Sequence, residues 1–136
     1  MLVTGVDAAA IVSAAGFVGI AGFQFALALG APWGRAAWGG RSEGRLQLKL
    51  RVASLVAGTL WLLATPIVLG RAGVMTLGLP EGILRWGSWT LAVLLGVGTL
   101  MNLASRSRTE RLIWTPISGV LALSTFLVAR SPWPPT

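Results

Sequence analysis

Cysteine, histidine and tyrosine are all missing from the 136 residues of this chain. Without cysteine there is no disulfide, no thiolate nucleophile and no sulfur ligand for a metal. Without histidine the commonest general base and metal ligand is gone. Acids are scarce as well, and Asp7, Glu43, Glu81 and Glu110 are all there are. These absences argue against an enzyme and against a metal or other cofactor. Charged residues reach only 11% of the chain, where soluble domains have roughly 25%. A small soluble domain has much surface for its volume and needs more charge than that to cover it.

Apolar residues are abundant instead: they make up 54% of the chain, with a mean hydropathy of +0.76. A membrane protein of one domain follows from the composition alone. The net charge is +7, from eleven basic and four acidic residues. Such a balance is often read as nucleic-acid binding. Here the basic residues stand in short segments between apolar runs, where they orient membrane helices and meet anionic headgroups. Lipid is therefore the expected partner, and nucleic acid is not.

Four apolar segments run from about 8 to 29, 52 to 69, 83 to 104 and 112 to 129. Each has roughly 18 to 22 residues, enough at a 1.5 Å rise to cross a ~30 Å hydrocarbon core. None holds an acid or a base in its interior. The fold predicted is all-α, a bundle of four transmembrane helices with short loops. The start, MLVTGVDAAAIVSAAG, has no basic n-region, and its apolar stretch is too long for a signal peptide. It is expected to stay as the first helix.

Loops one and three carry Arg35, Arg41, Arg45, Lys49, Arg51, Arg106, Arg108 and Arg111, eight of the eleven basic residues. Arg71, Arg85 and Arg130 lie on the other side. The positive-inside rule then puts loops one and three in the cytoplasm and both termini outside the cell membrane.

Helix punctuation fits the four spans. Thr4-Gly5-Val6-Asp7 and Ser107-Arg108-Thr109-Glu110 have the form of capping boxes. Leu79-Pro80-Glu81 reads as a turn before the third helix. Pro66 and Pro116 are expected to bend or loosen their helices. The tail SPWPPT is expected to be loose apart from an interfacial Trp133. Thr65-Pro66-Ile67 and Thr115-Pro116-Ile117 look like a repeat but fall at opposite depths, so no duplication is inferred.

The stretch Gly30 to Gly40, GAPWGRAAWGG, stands out within loop one. Gly34 to Ser42 superficially has the form of a phosphate loop. A glycine takes the place of the lysine, however, and a membrane helix precedes it where a strand is required. Nucleotide binding is discarded. One reading is that Gly30 and Pro32 end the helix while Trp33 and Trp38 form an aromatic belt at headgroup level. The other is that Gly34, Gly39 and Gly40 expose backbone N–H groups beside Arg35 and Arg41, a nest for a lipid phosphate. A compact loop folded beneath the bundle would account for the glycines and the tryptophans together.

Loop three, Asn102 to Arg111, offers Arg106, Arg108 and Arg111 around Glu110. It reads either as a charge anchor with an exposed ion pair or as half of an anion site shared with loop one. Arginine favours bidentate phosphate contacts. If the arginines of the two loops converge, an anion or Glu110 must lie among them. Within the helices Gln24 and Asn102 are the amides, and interhelical hydrogen bonds are expected of both. Small-residue spacings at Ala15/Gly19, Gly22/Ala26/Gly30, Ser54/Gly58, Ala92/Gly96 and Thr115/Gly119 allow close helix approach. They are compatible with packing inside one bundle or with a homo-oligomer.

GAPWG followed by GG, and NxxSRSxxER before a helix with an early proline, resemble a group of small four-helix bacterial integral membrane proteins. The resemblance implies the four-helix topology and carries no activity or functional residue. Three readings of function stand at this point. One is a non-enzymatic membrane protein whose basic cytoplasmic loops bind anionic lipid headgroups or a membrane-protein partner. Another is a small oligomeric transporter or channel without proton coupling, since no carboxylate is expected at depth. The third is a lipid-modifying enzyme relying on serine, threonine or one of the four acids.

Overall fold

The computed structural model describes residues 3–135. Its helices are α1 (Gly5–Leu29), α2 (Leu48–Ala72), α3 (Glu81–Ala104) and α4 (Thr115–Ala129), with a π-helical turn at Glu110–Trp114 leading into α4. All four spans, the last counted from Glu110, are long and apolar enough to cross a membrane. The chain is a multi-pass, all-α membrane bundle. α1 packs mainly along α2 and α3 along α4, and thinner α1–α4 and α2–α3 seams close the ring.

The helices extend beyond the apolar segments. α2 takes in Lys49 and Arg51 at its start and Arg71 at its end, and α3 begins on Glu81. Only the hydrocarbon-embedded turns must be apolar; long basic side chains can reach the interface from inside a helix.

The Thr4 box forms in full. Thr4 N–H donates to Asp7 Oδ2 at 2.8 Å, and Asp7 N–H donates to Thr4 Oγ1 at 3.1 Å. The second box forms by half. Glu110 N–H reaches Ser107 Oγ at 3.3 Å, but the Glu110 carboxylate turns elsewhere. Pro66 leaves α2 unbroken. Pro116 cannot donate to the carbonyl four residues back. The π turn just ahead absorbs this, with Thr115 N–H and Oγ1 both reaching the Glu110 carbonyl.

The interior is small and partly polar, while the outside is large and apolar. Ser13, Ser54, Ser88 and Thr125 are fully buried, whereas Leu60, Leu63, Val93, Leu100 and Leu123 are exposed. Lipid supplies no hydrophobic drive between helices, so close approach and hydrogen bonds hold them instead. Ser13 and Thr125, for example, join α1 to α4 at 3.1 Å.

The small-residue spacings are used selectively. Ser54 and Gly58 are buried, and a Cβ at Gly58 would strike the Phe25 ring at 2.8 Å. Ala15, Gly19 and Gly22 face outward instead. The close approach on α1 is at Gly16, against Leu121. The tail is not loose as expected. Arg71 donates to the Ser131 carbonyl at 2.5 Å, and Pro135 packs against Gly73.

Candidate functional site

Loop one gains its shape from its glycines. Gly30 (φ 102°) ends α1, with its N–H on Leu27 O and that of Ala31 on Ala26 O. Two short 3-10 turns follow, at Gly34–Ala36 and Trp38–Gly40, joined by an extended Ala37. Gly34 N–H donates to Gly44 O at 2.7 Å, so close that a Cβ would lie 2.6 Å from that oxygen. Ala37 and Leu46 are buried against Leu27, giving the loop a small core of its own beneath α1.

Hydrogen bonds then fasten the loop to the rest of the bundle. Trp114 Nε1 donates to Ala36 O at 3.0 Å, and Ser107 Oγ to Arg35 O at 2.7 Å. Gly39 N–H donates to Glu110 Oε1 at 3.0 Å. The two tryptophans do not form a matched belt. Trp33 stacks on Phe23, with centroids 6.0 Å apart. Trp38 sends its indole N–H to Ser54 Oγ, at 3.0 Å, and so reaches inward to α2.

Glu110 is the largest departure from the sequence reading. It is only 8% exposed, not a solvated loop acid. Its carboxylate accepts from Gly39 N–H and from the Ser105 hydroxyl. No arginine pairs with it: among the described residues the one salt bridge is Arg35–Glu43, at 2.7 Å. That pair is well exposed, and such pairs contribute about 0–1 kcal/mol. The glycine nest is not open to an outside ligand, because Gly34, Gly39 and Gly40 N–H groups are already engaged by Gly44, Glu110 and Ala37. The anion at Gly39 is the protein's own carboxylate.

Above this fastened loop, between the helices, lies a cavity of about 770 Å³. All four helices and loop one contribute to it. Ile20, Leu94, Leu95, Gly98, Met101 and Ile117 supply apolar wall; Trp38, Trp61 and Trp114 supply aromatic surface. Polar groups are Gln24, Asn102, Ser118, Glu110, Arg41 and Arg106. Gln24 does not make the interhelical hydrogen bond expected of it, and its Oε1 is buried without a partner among the described residues. Asn102 does bridge helices, through Nδ2 to Ser118 Oγ at 3.3 Å. Ser118 is itself held by donating to Trp114 O at 2.7 Å.

Of the residues singled out in sequence, Gln24, Trp38, Gly39, Arg41, Asn102 and Arg106 meet at this cavity. Trp33, Gly34, Arg35, Gly40, Arg108 and Arg111 do not line it. Arg35 is occupied by Glu43, and Arg111 Nη1 closes loop three on Ser105 O at 2.7 Å. Arg108 is exposed, and Gly34 and Gly40 serve backbone packing. The apolar wall, Trp61 and Trp114 were missed by the sequence reading. Trp114 carried the one available signal, an indole at the start of an apolar run beside a basic turn. Comparison with known proteins finds no matching family model, no similar curated protein and no similar solved structure.

Proposed function

We propose that the protein is a non-enzymatic membrane protein that holds an anionic phospholipid in the cavity at its basic end. The cavity carries the proposal, because it joins apolar wall to a polar rim with two arginines. The acyl chain lies along Leu94, Leu95, Met101 and Ile117. The phosphate lies towards Arg41 and Arg106, exposed arginines for which the structure shows no ion pair. A headgroup hydroxyl would give the Gln24 carbonyl the donor it lacks, and leaving such a group unmet costs about 1–3 kcal/mol. Glu110 at the rim disfavours a second negative charge on the ligand.

Mass spectrometry of the detergent-purified protein after incubation with equal phosphatidylglycerol and phosphatidylcholine tests this. Retention of phosphatidylglycerol should exceed that of phosphatidylcholine by about tenfold, a difference of ~1.4 kcal/mol. The R41Q/R106Q variant should lose the preference. Equal retention by the native protein, or an unchanged preference in the variant, would contradict the assignment.

This reading places the protein in the cell membrane with its basic end in the cytoplasm and its termini outside. Eight of eleven basic residues at one end of the bundle support it. The chain has no cysteine, so single introduced thiols report side directly. Gln47→Cys should resist an impermeant maleimide in intact cells, while Thr76→Cys should react. Both positions are exposed. The reverse pattern would refute the orientation.

A further inference from the structure

The opposite end of the bundle holds a second feature that the lipid cavity does not explain. Arg71, in the last turn of α2, is 3% exposed. Its Nη2 donates to Ser131 O at 2.5 Å and Ala129 O at 3.4 Å, and Nη1 approaches Pro132 O at 3.5 Å. These acceptors are neutral carbonyls. Nε is buried and has no partner among the described residues. Among the described residues no carboxylate pairs with the guanidinium, and the one salt bridge lies at the other end. A buried charge held only by dipoles is expensive unless an opposite charge joins it.

Two more arginines come to the same place. Arg85 from α3 and Arg130 at the end of α4 line, with Arg71, a pocket of about 390 Å³. Glu81 is the one acid in its wall, and Trp89 and Trp133 complete the sides. Arg71 lies over the Trp133 ring, 5.4 Å from its centroid. Three guanidinium groups against one carboxylate leave a surplus of two positive charges. Clamping the tail explains Arg71 and also brings Arg130 beside it, because the bonded carbonyls flank that residue. It does not explain why Arg85, from α3, shares their pocket.

We infer that this pocket binds a phosphate group, held by Arg71, Arg85 and Arg130. Arginine forks suit phosphate oxygens, and the tryptophans set the site at the depth of lipid headgroups. The pocket lacks the aliphatic wall of the cavity at the basic end, so it suits a headgroup or free phosphate and not an acyl chain. The inference does not depend on the lipid reading of that cavity.

The test uses thermal unfolding of the full chain in neutral detergent. An R41Q/R106Q background silences the basic end, so any shift is read from the tail end. Inorganic phosphate and a short-chain phosphatidylglycerol are the probes, with chloride at equal ionic strength as reference. At least one probe should raise Tm by several degrees. A response to inorganic phosphate identifies a free-phosphate site, and a response to the lipid alone identifies a headgroup site. Adding R85Q and R130Q should abolish the shift; Arg71 is left intact because it holds the tail. Absence of a shift with both probes would overturn the inference. So would a shift that survives R85Q/R130Q.

Discussion

Gly40→Ala should unfold several degrees below the native protein and clearly below Gly39→Ala. Both glycines have positive φ, 70° at Gly40 and 80° at Gly39. Placing an L-residue there costs roughly 1–2 kcal/mol in either case. The surroundings differ. A Cβ at Gly39 would meet nothing within 4 Å, whereas one at Gly40 would lie 2.8 Å from Ser107 Cβ and 3.0 Å from Arg35 O. Those neighbours are bonded to each other through Ser107 Oγ, so neither yields without breaking the tie between loops one and three. Overpacking of this kind adds about 1–3 kcal/mol. Thermal unfolding in detergent checks the order. Equal Tm values for the two variants would show that the loop is not fastened as described.

Gly98→Phe should leave the protein folded and remove its retained lipid. Gly98 lies within α3 and lines the cavity, and a Cβ there would enter open space. Replacing a helix-interior glycine removes an unfavourable residue, a gain of roughly a few tenths of a kcal/mol for phenylalanine. A phenylalanine side chain would occupy part of the space assigned to the acyl chain. The variant thus separates folding from binding, which truncation of Glu110 would not, because that carboxylate also secures Gly39. Retention should fall by at least tenfold, while Tm without added lipid stays level or rises. A lower Tm with unchanged retention would oppose both halves of the expectation.

The spans were legible because long apolar runs admit few alternatives in a membrane. Gly30 and the Thr4 box marked the limits of α1 through local rules that need no tertiary knowledge. The cavity was not legible. Leu94, Gly98 and Ile117 look like ordinary lipid-facing residues, and Leu94 and Ile117 are exposed; only the placing of α3 and α4 above loop one makes them one wall. The setting of Glu110 escapes the sequence for a related reason. Three nearby arginines in sequence suggested ion pairs, yet loop one brings the Gly39 amide to it from 71 residues away. In the sequence Arg71 reads as an outer-loop charge, and its burial arises from a tail that composition alone marks as loose.

We propose one anionic phospholipid in the cavity at the basic end. Native mass spectrometry of the protein released from mixed phosphatidylglycerol–phosphatidylcholine nanodiscs measures this most directly. Gly98→Phe is compared with Gly19→Phe, whose side chain would point to open space on the exposed face of α1. At this site the native protein and Gly19→Phe should each keep one phosphatidylglycerol that Gly98→Phe has lost. Equal phosphatidylglycerol counts for all three proteins would contradict the claim, because the bound lipid would then lie outside the cavity.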